Sequence, residues 1–266
     1  MEYYVKMLRF YSAIQGDKVD KTSLPYQTLG QIENDELTRR AASNLGIQVS
    51  SDELGNATDA YILQLTGGNA TQPGALKELY PQVLNVVRLS EDELRQVVEA
   101  SFLREKLREY FKEQKVPKEA KQVYLQDILV DTEGNATEVR NRLLNGEDFA
   151  TLAKELSLDE ISKQYGGDLG WVPRGILYPQ IIPSPEIDDV AFGLEKGNIS
   201  QPISTSEGYY IFKVSDIAEN MAIYDEYRDI LAVNELGSWL AELRAASNIK
   251  ENLDQSKINW AMERIQ

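Results

Sequence analysis

The sequence predicts an α+β protein, with helices on both flanks and a small α/β unit of about 95 residues between them. Three observations carry that expectation. Apolar residues recur at helical spacing through residues 1–121 and again through 222–247. Short β-type runs occur only between those stretches, at 123–130, 199–205 and 209–214. The composition, 42% hydrophobic and 27% charged with 17 Gly and 9 Pro in 266 residues, is that of a chain able to bury a core.

The first helix opens at once, with Tyr4, Met7, Leu8 and Tyr11 on one face. Gln31 to Leu45 carries Ile32, Leu37, Ala41 and Leu45, and stops at Gly46, a residue suited to closing a helix. Ser50 with Glu53, and Ser90 with Glu93, have the spacing of capping boxes. The helix after Ser90 carries Leu94, Val98, Leu103, Leu107 and Phe111. Residues 66–74 read as a loop. The texture changes near residue 121: Val123 to Val130 is a strand, and Thr137 to Leu144 and Phe149 to Leu156 are helices. Ile199 to Thr205 and Tyr209 to Val214 are strands turned at Gly208. Residues 222–247 return to helix, with Tyr227, Trp239, Leu240 and Leu243, and a short amphipathic piece holds Ile258 and Trp260. The expected domains are therefore 1–121, 122–216 and 217–266.

Charge and missing residue types exclude much chemistry. The net charge is −15, which repels nucleic-acid backbones. The α/β unit, 122–216, carries −9 of it, a field that favours basic or neutral ligands over acidic ones. With no Cys there are no disulfides, thiolate nucleophiles or Cys-based zinc sites. With no His there is no Ser-His or Cys-His relay, and carboxylates, Tyr and Lys are left for proton transfer. Paired acids alone do not make a hydrolase, and no other hydrolase motif accompanies them. No apolar run approaches the ~18 residues that span a membrane. No leader is visible, and the opening within a helical pattern leaves open whether an N-terminal signal or anchor has been removed. The matches to Asn-x-Ser/Thr, at Asn56, Asn69, Asn135 and Asn198, are what chance supplies in this length.

The informative segment is Leu156 to Trp171, LSLDEISKQYGGDLGW, with NGEDF ahead of it and FGLEKGNISQP and GYYIF behind. In this order these pieces resemble the parvulin family of peptidyl-prolyl cis-trans isomerases over residues 122–216. The family pattern has a strand ending His-Ile-Leu and a Gly-x-Asp-Phe helix start. Ser-x-Asp-x-x-Ser, Gly-Gly-Asp-Leu-Gly-Trp and a closing Gly-Tyr-His-Ile follow. Residues 37–53 and 89–107 resemble the N-terminal helical module of SurA-like and PrsA-like foldases. In those proteins a C-terminal helix returns to that module around an inserted parvulin domain of FKBP-like α/β fold.

The resemblance implies a set of site residues. The two His positions of the family fall on Asp127 and Tyr210, the central acidic position on Asp159, and the following Ser on Ser162. The proline pocket would use Leu169, Phe192 and, at the aromatic position, Ile187. Tyr210 is placed to donate to Asp127 or Asp159, or two close carboxylates share a proton with one pKa raised. Asp168, among three glycines, reads as a turn residue that binds local backbone. Pro173, Pro179, Pro183 and Pro185 suggest a stiffened flap.

The function so implied is an extracytoplasmic foldase that binds unfolded or extended polypeptides containing X–Pro bonds. Its isomerase is weakened by the replaced His pair. The alternative is a holding chaperone whose parvulin-like domain only binds peptide. No cofactor or metal is implied and no nucleic acid. Phosphate-directed recognition is not expected, because the loop after the first strand, DTEGNATE, has no base. Membrane contact would come only through a missing anchor.

Overall fold

A computed structural model describes the chain except residues 19, 68–74, 179, 180, 183, 185 and 266, with backbone alone at 17 and 75. Pro179, Pro183 and Pro185 of the expected flap, and Asn69, thus lie outside the described residues. Two compact units form, one from residues 1–111 with 234–266 and the other from 112–233.

The first unit is helical. It holds α1 (Glu2–Gln15), α2 (Leu24–Asn44), α3 (Ser51–Leu65), α4 (Ala75–Val87) and most of α5 (Glu91–Gln114). The second half of α10 (Asp225–Ala246) and α11 (Gln255–Met262) complete it. Both expected capping boxes form: Ser50 and Ser90 each accept from the backbone N–H of the Glu three residues on, whose carboxylate accepts in return. Met7, Phe10, Ile62, Val83 and Leu94 make one buried cluster, and Tyr4, Leu8, Leu24 and Ala261 another. The Trp239 ring lies 5.2 Å from Phe111. Among the described residues no helix is long and apolar enough to cross a membrane.

The second unit is a four-stranded antiparallel sheet with helices on both faces. Its order is β2-β1-β4-β3, with β1 at Glu119–Val130, β2 at Asp168–Pro173, β3 at Ile203–Thr205 and β4 at Gly208–Ala222. The three expected strands share this sheet. β2 is additional: its Gly-rich sequence reads as a turn, and Gly166, Gly167 and Gly170 do take positive φ. The chain nevertheless pairs with β1 from Asp168 on, across an irregularity at Leu125/Gln126. The stretch from Ile199 is strand only from Ile203. Pro202 lacks an N–H for the ladder, so Ile199 makes an isolated pair with Lys213.

β4 also runs on past the expected end at Val214. Its far half is polar and shows no clean alternation, yet it pairs with Glu119 to Tyr124. Gln122 Nε2 donates to the carbonyls of Met221 and Ala222. Residues 217–222 are therefore strand, not helix. The units divide inside α10, against the expected boundary after 216, because Tyr227 packs on the sheet's core while Trp239 belongs with the helices.

α6 (Glu133–Leu144) and α7 (Phe149–Leu156) cover one face, through Val139, Leu143, Phe149 and Leu152 against Ile128 and Ile211. The other face is built on Leu125, Leu129, Tyr210, Phe212 and Val214. α9 (Ile187–Gly193) packs there, with Leu177 and Ile182.

Candidate functional site

The period of two along β1 places Asp127 between Leu125 and Leu129, on the face opposite α6 and α7. It stands across from Phe212 in the register, and Tyr210 stands across from Leu129. A short helix, α8 (Glu160–Lys163), is brought to the same place by backbone bonds. The N–H of Asp127 donates to the Gly167 carbonyl at 2.8 Å, and the N–H of Gly167 to the Ser162 carbonyl at 2.9 Å. Ser157 ties the other end: its hydroxyl accepts from the N–H of Leu129 at 3.1 Å and of Asp159 at 3.3 Å.

Asp127 is entirely buried, and neither carboxylate oxygen has a hydrogen-bond partner among the described residues. Burial pushes its carboxyl up to about 7. The Ser162 hydroxyl opposes that rise, while the Asp159 carboxylate adds to it. Two carboxylates can only accept. A proton on Asp127 turns it into a donor toward that neighbour, and the raised value means the proton is held near neutrality.

Tyr210 does not complete the network. Its hydroxyl donates to Glu207 Oε2 at 3.1 Å, at the turn between β3 and β4, and its ring stacks on Phe212 at 6.0 Å. Burial raises the Tyr210 hydroxyl far above its ordinary value, helped by Glu207 and by the fields of Asp127 and Asp159. Asp159 is the N-cap of α8, with Oδ1 accepting from the N–H groups of Ile161 and Ser162. Ser162 is buried, with its hydroxyl unpaired among the described residues.

Of the apolar residues, Leu169 on β2 and Phe192 on α9 are half-buried against this core. Ile187 is buried completely at the start of α9, so it presents no face on which a proline ring could stack. The structure therefore gathers Asp127, Asp159, Ser162 and Tyr210 about one end of the β1/β4 pair and takes Ile187 into the core. Asp168 opens β2 rather than lying in a turn, but it binds local backbone as expected: it accepts from the Gly170 N–H at 2.9 Å, and also from the Tyr124 hydroxyl at 2.7 Å.

Sequence reasoning missed three participants. The Arg174 guanidinium lies 4.9 Å from the Phe192 ring centre and pairs with Asp189 at 2.5 Å, capping the ring that the pocket would use. Glu207 takes the Tyr210 proton donor, and Ser157 holds β1 to α8. Only Ser157 had a signal, as the first residue of the Ser-x-Asp-x-x-Ser pattern. Among the described residues no three acidic side chains are grouped to hold a metal ion.

Residues 112–216 match the family of the PPIC-type PPIASE domain, a rotamase. The foldase protein PrsA of Caldanaerobacter subterraneus subsp. tengcongensis is 36% identical over 165 residues, which are 60% of this chain and 49% of that protein. The chain thus spans about half the length of that relative. The foldase protein PrsA of a Geobacillus species is 32% identical over 197 residues, 69% of this chain and 67% of that protein. The crystal structure of the peptidylprolyl isomerase PrsA from Bacillus anthracis superposes with a TM-score of 0.51 at 22% identity, covering 89% of this chain and 94% of that one, a likeness of fold.

Proposed function

This chain belongs to the PrsA family of foldases, and we infer from that premise that it is an extracytoplasmic foldase that binds unfolded polypeptide. Its clients are extended segments containing X–Pro bonds. The parvulin-type unit turns such bonds slowly, or only binds them, while the unit of residues 1–111 and 234–266 holds the client.

Rotation about an X–Pro amide breaks no covalent bond. Its barrier is ~18–20 kcal/mol, from lost resonance, and each ~1.4 kcal/mol removed is tenfold in rate. A catalyst needs an apolar seat for the ring and donors or a dry environment that favour the twisted amide. Leu169 and Phe192 are suited to be the seat. Asp127, being buried, cannot donate to the amide directly and acts only through its polar neighbours Asp159 and Ser162.

The observation that carries the slow rate is the state of the two former His positions. Asp127 is shut away from solvent, and the Tyr210 hydroxyl is committed to Glu207. Losing a preorganised donor set costs ~3–4 kcal/mol where a reaction depends on it, enough to erase most of a thousandfold gain. A protease-coupled isomerisation assay on tetrapeptides tests this. We expect little or no rate from the parent chain and a rise with Asp127→His combined with Tyr210→His. A parent rate equal to that of active parvulins overturns the slow-isomerase reading.

The holding reading is favoured by shallow apolar grooves on the helical unit. One is walled by Ile14, Leu65, Val83 and Val86, and a second by Ala57, Tyr61, Val98 and Phe102. A chain with 112–233 replaced by a short linker is expected still to suppress client aggregation. The Phe111–Trp239 contact keeps the cut ends within reach. Loss of suppression would place holding on the parvulin-type unit instead.

A further inference from the structure

We propose that the parvulin-type unit selects client segments in which a lysine or arginine stands beside the proline, with Glu207 and Asp159 receiving the cation. The proposal rests on the reading of this face as the peptide site, and it adds the class of client.

The family's paired imidazoles are replaced here by a carboxyl and a phenol, and the phenol is surrounded by acid. Glu207 Oε2 accepts from the Tyr210 hydroxyl at 3.1 Å, and the fields of Asp127 and Asp159 reach the same hydroxyl. Glu207 is exposed and held at its turn by its own N–H, which donates to Thr205 Oγ1 at 3.1 Å. Asp159 is half-exposed, and both of its backbone bonds use Oδ1, so Oδ2 has no such partner. These two are the carboxylates that a side chain arriving from solvent can touch.

Asp127 supplies the independent observation. It is completely buried on the same face, with both oxygens unpaired among the described residues. Where Asp127 is ionised it carries a buried negative charge, and a cation brought to the surface of this face offsets the cost of that charge. The cations of α8 and of the residue after β2 are engaged elsewhere. Arg174 is paired with Asp189 at 2.5 Å and lies on Phe192, and Lys163 is paired with Glu160 at 3.9 Å. Around the site, residues 122–216 carry −9, so the long-range field has the same sign as the local one. An acidic residue before the proline meets this field with the wrong sign, and a neutral one gains nothing from it.

The test uses the full chain and fluorescent Ala-Xaa-Pro-Phe peptides, with Xaa as Lys, Ala or Glu. Binding is read by anisotropy at low and high salt. We expect the Lys peptide to bind about three- to tenfold more tightly than the Ala peptide, the scale of one or two half-exposed ion pairs, with the Glu peptide weakest. High salt should shrink the differences. Glu207→Gln keeps an acceptor for Tyr210, and Asp159→Asn keeps a capping side chain. Either should reduce the Lys preference, read as the ratio of Lys-peptide to Ala-peptide affinity within the same variant. Equal binding of all three peptides by the parent overturns the proposal and leaves the site reading standing. A Lys preference unchanged in both variants overturns the assignment to Glu207 and Asp159. No binding of any peptide, with no NMR shift change at Leu169 or Phe192, overturns the site reading itself.

Discussion

Asp127 ties the stability of its unit to pH. Its carboxyl titrates at about 7 in the folded chain and near 3.9 when unfolded. Between those values the folded state holds a proton that the unfolded state has lost, so this group's contribution falls as pH rises from about 4 to about 7. The full loss is on the order of 4 kcal/mol, complete above the folded value. Asp127→Asn cannot ionise, so we expect it to be more stable than the parent at about pH 8, with the gap closing toward about pH 4. Urea midpoints of both proteins across that range check this, and a gap that is constant or widens toward acid would contradict it. The motif pointed to Asp127 and Tyr210 as positions. It did not show that Asp127 would be sealed off or that Glu207 would capture the Tyr210 hydroxyl, because both depend on which side chains β4 and its turn bring alongside.

The turn from α8 into β2 shows what an element takes from its glycines. Gly167 has φ +77°, its carbonyl accepts from the N–H of Asp127, and a Cβ there would run into the Asp127 carbonyl oxygen. Gly170 also has positive φ, +74°, but faces open space. Gly167→Ala should therefore cost the unit ~3 kcal/mol or more, from backbone strain plus collision. Gly170→Ala should cost only the ~1–2 kcal/mol of the left-handed backbone. Urea unfolding followed by Trp171 fluorescence distinguishes them, and equal losses would sink the argument. The Gly-Gly-Asp-Leu-Gly string made the turn readable. It hid β2, since glycines weaken every strand signal and the pairing partner, β1, lies more than forty residues earlier.

The chain leaves one unit and returns to it through two helices, α5 and α10, and each is shared between units. Within the second unit, Lys112 Nζ pairs with Asp225 at 2.8 Å and Asp229 at 3.0 Å, and Arg228 donates to the Lys112 carbonyl at 2.8 Å. A fragment of 112–233 keeps this cluster, the long end of β4 and Tyr227 on the core. A fragment of 122–216 loses all three and the first residues of β1. We expect the longer fragment to melt cooperatively and well above the shorter one. Equal melting temperatures would mean that these chain ends contribute nothing. In the helical unit, Ala261 of α11 is buried with Tyr4, Leu8 and Leu24, and Arg9 donates to the Arg264 carbonyl at 3.0 Å.

Local rules alone determined the helices of the flanks, both capping boxes, the glycine turn and the order of motifs that pointed to a parvulin-type unit. Each needs only neighbours within a few residues: the 3.6 period, a Ser three before a Glu, a glycine where φ is positive. Tertiary structure decided the rest. It extended β1 and β4 by pairing polar stretches that have no strand pattern of their own. It drew Ile187 into the core, laid Arg174 over Phe192 and divided α10 between two units. Above all it set the proton affinity of Asp127, because burial and the nearness of Asp159 arise only when β1, β4 and α8 meet, and a carboxyl's charge depends on its surroundings rather than on its place in the chain.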